Sequence, residues 1–270
     1  MIQTLLRRLS IYGAITAIMP KRFLAFRLWF WIGMILSTIE MTILVFFWRA
    51  VYANTDSIAG LDLQQTLTYI LLAQVFSPLA DQDLIWEFGF NLREGRIIHL
   101  LLRPVGFQAS FYAQAWGGLI SSLVLQFPMV VVATFVFGLH WPTDPAAWAS
   151  FVISALLGYT SLFFFHWCLA CFTFYTTEVW GLGVLIYGMT RFFSGGLVPL
   201  AIMPLWLRTL VQSLPFAQSL AIPLNFLSGI TPVSEAPLVW LYQLLWAIGL
   251  GLVSQAFLRV AVRKVTVQGG

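Results

Sequence analysis

Charge is what this chain lacks most. Only 9% of its residues are Asp, Glu, Lys or Arg, against about 25% in an ordinary soluble domain. That scarcity excludes a water-soluble surface. With 60% hydrophobic residues and a mean hydropathy of +0.88, it points to an integral membrane protein. Cysteine is nearly absent. Cys168 and Cys171 stand three residues apart in an apolar run, on one face of a helix. They exclude a disulfide framework. No His or acidic cluster accompanies them, so packing is their expected role and no metal site is assigned. There is no GxxxxGK[ST] phosphate loop, so ATP is not expected to bind this chain. HExxH, GxSxG and paired intramembrane Asp motifs are missing too, and no catalytic residue is assigned. A cleavable signal peptide is not expected. The first apolar run is short, is interrupted by Pro20-Lys21-Arg22, and has no small-residue cleavage site after it.

What is present is a series of apolar runs. A bilayer crossing needs about 20 mostly apolar residues. The pattern predicts an all-α polytopic membrane protein, a single domain over 1–270, with six transmembrane helices. The spans are expected near 24–48, 66–79, 107–139, 147–173, 179–201 and 238–258. The second has a short apolar core. The third is longer than needed and is expected to tilt or to kink at Pro128. Basic residues set the topology. Arg7, Arg8, Lys21, Arg22 and Arg27 precede or open the first span. Arg93, Arg96 and Arg103 lie between the second and third, and Arg259, Arg263 and Lys264 follow the sixth. With six spans all three groups fall on one side, with both termini cytoplasmic. The segment 203–228 is apolar yet rich in proline, with Pro204, Pro215 and Pro223. This suggests short helices dipping into the membrane as an external re-entrant hairpin, tolerated where protein covers the broken backbone.

Three polar residues fall inside spans. Glu40 is in the first and Arg191 in the fifth. Counted from the cytoplasmic ends, both lie roughly 15–20 Å deep at about 1.5 Å per residue. Buried charges in a membrane cost roughly 2.5–3.5 kcal/mol each on insertion scales. The two residues are either a salt bridge between the spans, or Glu40 faces the pathway and attracts a cation. The remaining alternatives are a protonated Glu40, or either residue snorkelling to an interface. His166 in the fourth span is expected to be hydrogen-bonded within the bundle rather than to relay protons. Glu178 is expected to cap the fifth span, with contact to a partner as the alternative.

The charge that exists is concentrated in Asp81–Arg103. Lipid cannot stabilise so many charges, so the segment is expected in water or at the interface. Leu84, Phe88 and Leu92 would share one helix face, beside a polar stripe of Asp83, Glu87 and Asn91. The spacing repeats after Gly95, which suggests two short interfacial helices joined by a turn. A plain surface loop fits the composition as well.

Leu92–Pro104, LREGRIIHLLLRP, resembles a signature of the ABC-2 family of ABC transporter permeases. So do the later elements SGGLVPL at 194–200, Leu214-Pro215-Phe216, and Pro223 to Gly229. His99 departs from the pattern. The resemblance implies an ABC-2 type transmembrane domain, half of an exporter in the bacterial inner membrane. Its partners would be two copies of a separate ABC ATPase, which would bind ATP and Mg, and a second permease half, paralogous or identical. No cofactor is expected in this chain itself. A coupling helix over 83–103 would dock on the ATPase through Arg93, Glu94, Gly95, Arg96, Ile97, Ile98, Arg103 and Pro104. Gly195, Gly196, Pro199, Pro215 and Pro223 would belong to an external gate. The implied substrate is a drug-like, lipidic or amphipathic, cationic compound. The alternative is an ion-coupled secondary transporter, which usually shows inverted repeats; none is detected.

Overall fold

The computed structural model describes residues 2–25, 27–176 and 179–263. Among them, four helical stretches are long and apolar enough to cross a bilayer: Trp31–Asn54, Phe107–Phe135, Pro145–Phe174 and Val233–Val262. The protein is therefore an all-α polytopic membrane protein. Glu178 and Lys264 lie outside the described residues.

Helix α1 (Ile2–Ala25) continues through Pro20. The reason lies in its packing on α6 (Phe107–Leu125). Pro20 has no N–H, so the carbonyl of Thr16, four residues back, loses its helical partner. That carbonyl faces Gly117, where an added Cβ would lie only 2.4 Å away. Glycine is thus required for the contact. The Thr16 hydroxyl donates to the Ala113 carbonyl at 2.9 Å, and the Gly106 N–H donates to the Tyr12 hydroxyl at 3.2 Å. The pairs Tyr12–Gly106, Thr16–Ala113 and Met19–Gly117 advance together, so α1 and α6 run parallel.

Helix α2 (Arg27–Val51) follows, and a small hairpin of β1 (Ser57–Ile58) and β2 (Leu61–Asp62) turns the chain back. Helix α3 (Leu63–Val75) begins at a capping box in which the Asp62 carboxylate accepts from the Gln65 N–H at 2.7 Å. Its buried face packs on α2, joining Met41, Val45 and Trp48 to Tyr69–Ala73 in one core. The expected second span, 66–79, is revised here. Helix α3 gives way to a 3₁₀ turn at Ser77–Ala80, an unwound stretch, and then α4 (Leu84–Arg93). Phe76 meets Trp148 at 6.3 Å, Gln82 bonds the Tyr159 carbonyl at 3.3 Å, and Phe88 meets Trp167 at 4.9 Å. These contacts advance along α8 (Pro145–Ala170). The second segment is therefore one broken helix running beside α8, and α4 is its lower half rather than a surface helix.

After α5 (Arg96–Leu101) the chain enters α6 and α7 (Phe127–Phe135). The break at Gln126 precedes Pro128, in keeping with the kink expected there. Helix α9 (Val179–Phe193) ends eight residues before the expected 201, because Gly195 takes a φ of 82° and turns the chain inward. Three short helices follow: α10 (Leu205–Ser213), α11 (Pro215–Ser219) and α12 (Ala221–Leu227). Helix α13 (Ala236–Val262) closes the bundle on α8. At that seam the buried Gln243 amide donates to Ser154 Oγ at 2.9 Å and to the Gln218 carbonyl at 3.1 Å. Small polar residues on α8 let its neighbours approach closely.

Candidate functional site

Helix α4 is wedged into the bundle by its apolar face. Phe88 is 0% exposed, with ring centroids 5.1 Å from Phe111 and 5.8 Å from Phe107. Val179 of α9 sits against Gly89, and Trp86 against Gly183. The end of α4 is different. Arg93, Glu94, Gly95 and Arg96 are all exposed. Gly95 has a φ of 66°, a left-handed turn that costs glycine little, and α5 starts directly after it. Arg96 is held by an ion pair to Glu94 and lies 4.6 Å over the Phe90 ring. Ile97 is buried, Ile98 is half-buried, and Arg103 and Pro104 are exposed. The result is a charged turn at the tip of a helix fixed deep in the bundle.

The segment Asp81–Asp83, between the 3₁₀ turn and α4, is unwound. Gln82 is bonded to Tyr159, midway along α8. The unwound residues therefore lie beside the middle of α8, with Asp81 and Asp83 exposed and Gln82 half-buried. They line an open cavity of about 1070 Å³ bordered by residues of α1, α2, α4, α6, α7, α8 and α9. A smaller niche beside it is lined by Asp81, Gln82, Asp83, His166 and Thr190. His166 Nε2 bonds Thr190 Oγ1 at 3.1 Å, linking α8 to α9.

The structure brings Glu40 and Arg191 together in an ion pair between α2 and α9. Their side chains are 40% and 17% exposed. Glu40 is not among the residues lining the large cavity.

The segment after α9 folds back against α8. Gly195 cannot be substituted without strain. Its carbonyl accepts from the Tyr69 hydroxyl at 3.1 Å, and an added Cβ would lie 2.7 Å from that hydroxyl. The Gly196 carbonyl accepts from Gln74 at 3.2 Å. Pro199 precedes a 3₁₀ turn, Pro215 opens α11 and Pro223 lies within α12; the latter two are buried. Helix α11 reaches the middle of α8, where Gly158 meets the Gln218 backbone. Within the stretch 203–228, the short helices are α10, α11 and α12. Helix α11, which is wholly buried, carries the deepest contact of the three.

The predicted residues form three groups: the turn at 93–96, the Glu40–Arg191 pair, and the glycine–proline segment. Sequence reasoning missed the cavity and the role of Asp81 and Asp83 in lining it. The available signal was Pro78 followed by two carboxylates after a short apolar run, a mark of a broken span.

A family model described as ABC-2 family transporter protein matches residues 38–269. No curated protein and no solved structure matches the chain. The family match covers all three groups and leaves out α1.

Proposed function

The chain belongs to the ABC-2 family transporter proteins, and from that premise we propose that it is the permease half of an ATP-driven exporter. The observation that carries the reading is the exposed turn Arg93–Arg96 at the tip of a helix buried among α6, α8 and α9. A soluble ATPase pressing on that turn would move α4 as a rigid lever, and with it the break at Asp81–Asp83. Helix α5, anchored by Ile97, would complete the coupling surface with Arg103 and Pro104. Single rim ion pairs contribute only about 0–1 kcal/mol, so packed contacts would transmit most of the force.

In this reading six crossings alternate: α2, the α3–α4 segment, α6 with α7, α8, α9 with the segment after it, and α13. Arg93, Arg96, Arg103, Arg259 and Arg263 then face the cytoplasm together, as both termini do, and the membrane is a bacterial inner membrane. Two copies of a separate ATPase would bind ATP and Mg²⁺, and a second permease half, identical or paralogous, would complete the pathway. Residues Gly195 to Pro223 would close its outer mouth. The cargo would be a drug-like or lipidic amphipathic compound held in the mid-depth cavity.

One observation favours an ion-coupled secondary transporter: broken helices at mid-depth are common in that class. Affinity purification from native membranes separates the readings. Co-elution of a P-loop ATPase with ATP-dependent export supports the proposal. An ATPase-free protein whose transport follows a proton gradient overturns it.

A further inference from the structure

The large cavity has an uneven charge. Among the described residues, Asp81, Asp83 and Glu87 line it together with one cation, Arg93, in a chain whose formal net charge is +4. Glu87 and Arg93 each have interactions of their own. Among the described residues, Asp81 and Asp83 have none through their carboxylates to a hydrogen-bond donor or a basic side chain. Both are exposed to the cavity although Gln82, between them, is tied to the middle of α8. Further groups around them are also unsatisfied. Gln82 Oε1 is buried without a partner. His166, only 2% exposed, lines the adjoining niche, and its Nδ1 makes no hydrogen bond of normal geometry. Unpaired charge and unpaired polar atoms in a bundle interior are costly to keep. An occupant of opposite charge removes that cost.

The walls describe the rest of the occupant. Trp86, Phe90, Tyr159 and Trp180 line the same cavity. Aromatic faces attract cations, most strongly when the cation is delocalised and poorly hydrated. The volume of about 1070 Å³ is at the upper end of pockets for drug-sized molecules, roughly 300–1,000 Å³. It is far larger than a bare metal ion needs. From the carboxylates, the aromatic walls and the volume together, we infer that this cavity binds an amphipathic organic cation, with Asp81 and Asp83 as its counter-charges. The inference rests on the exporter reading and names its cargo class.

The test uses the purified full-length protein together with any co-purifying ATPase. Equilibrium dialysis with tetraphenylphosphonium reports cation binding. Triphenylphosphine oxide, a neutral aromatic of similar shape, reports the apolar contribution. Expected are saturable, tighter binding of the cation and a loss of about tenfold or more in D81N/D83N, the scale of one charge-assisted contact. The neutral compound should bind D81N/D83N as it binds the unaltered protein, and D81E/D83E, which keeps the charge, should retain cation binding. Unchanged cation affinity in D81N/D83N, or an equal loss for both compounds, overturns the inference. So does displacement of the probe by potassium alone. If the Asn variant fails to assemble, the unaltered protein decides, because equal affinity for cation and neutral analogue overturns the inference. Loss of the ATPase from the preparation with cation binding intact would instead count against the exporter reading.

Discussion

Substituting Gly158 by Ala probes the contact that carries α11 into the bundle. A Cβ at 158 would lie 1.8 Å from the Gln218 carbonyl oxygen, 2.5 Å from its carbon and 3.0 Å from Ser219 Cα. All are backbone atoms, so no side chain can swing aside. Restoring ordinary contact requires α11 to withdraw by roughly 1.5 Å. The withdrawal breaks or strains the bond from Gln243 Nε2 to the Gln218 carbonyl, now 3.1 Å, and the one from Gln218 Nε2 to the Gln212 carbonyl, now 2.7 Å. Overpacking costs about 1–3 kcal/mol, and each lost hydrogen bond about 0.5–1.5 kcal/mol. The total is about 2–6 kcal/mol. At about 2–4 °C per kcal/mol for chains near this size, the midpoint of tryptophan-monitored thermal unfolding in detergent falls by about 4–24 °C. G249A is the control, since nothing lies within 4 Å of a Cβ there. It gains up to about 1 kcal/mol of helix propensity. A G158A midpoint equal to that of the unaltered protein would refute the close approach of α11 to α8.

Other outcomes follow from the same geometry. E40Q strands Arg191 in the bundle and lowers stability by about 1–3 kcal/mol, less than for a fully buried pair because Glu40 is 40% exposed; E40Q/R191M recovers most of the assembled yield by size-exclusion chromatography. G195A forces an alanine to a φ of 82° beside Tyr69 and costs about 1–3 kcal/mol, seen as faster proteolysis of the 194–227 segment; Y69F, which only removes the hydroxyl, costs about 0.5–1.5 kcal/mol. The native cysteines are buried, so an impermeant maleimide reports topology through introduced ones. His140→Cys labels in intact cells and Glu94→Cys only after permeabilisation, and the reverse pattern contradicts the proposed orientation.

The long charge-poor helices α2, α8 and α13 were legible because composition alone selects them, and so was the kink at Pro128. Gly95 marked its turn because no other residue fits a left-handed corner as readily. Glu40 and Arg191 were matched in depth by counting residues, since helical rise is constant. What escaped were features created by contact. Helix α1 was not expected at all, because its continuation through Pro20 depends on Gly117, 97 residues further along. Asp81 and Asp83 were read as charges in contact with water, and both are exposed, but the cavity they line is formed by helices far apart in sequence. Only the packed bundle reveals a cavity at mid-depth. The early end of α9 depends on Gly195 meeting Tyr69 and Ala221, partners that spacing does not identify.

The central claim is that the 93–96 turn receives force from an ATPase. E94R/R96E tests it with little disturbance, because the exchange preserves the internal ion pair while reversing the charges offered to a partner. In proteoliposomes containing the permease and its co-purified ATPase, the account predicts an assembled variant with normal thermal stability and basal ATP hydrolysis. ATP-driven export should fall at least about tenfold, equivalent to about 1.4 kcal/mol of lost coupling. Export at the unaltered rate by that variant would contradict the account.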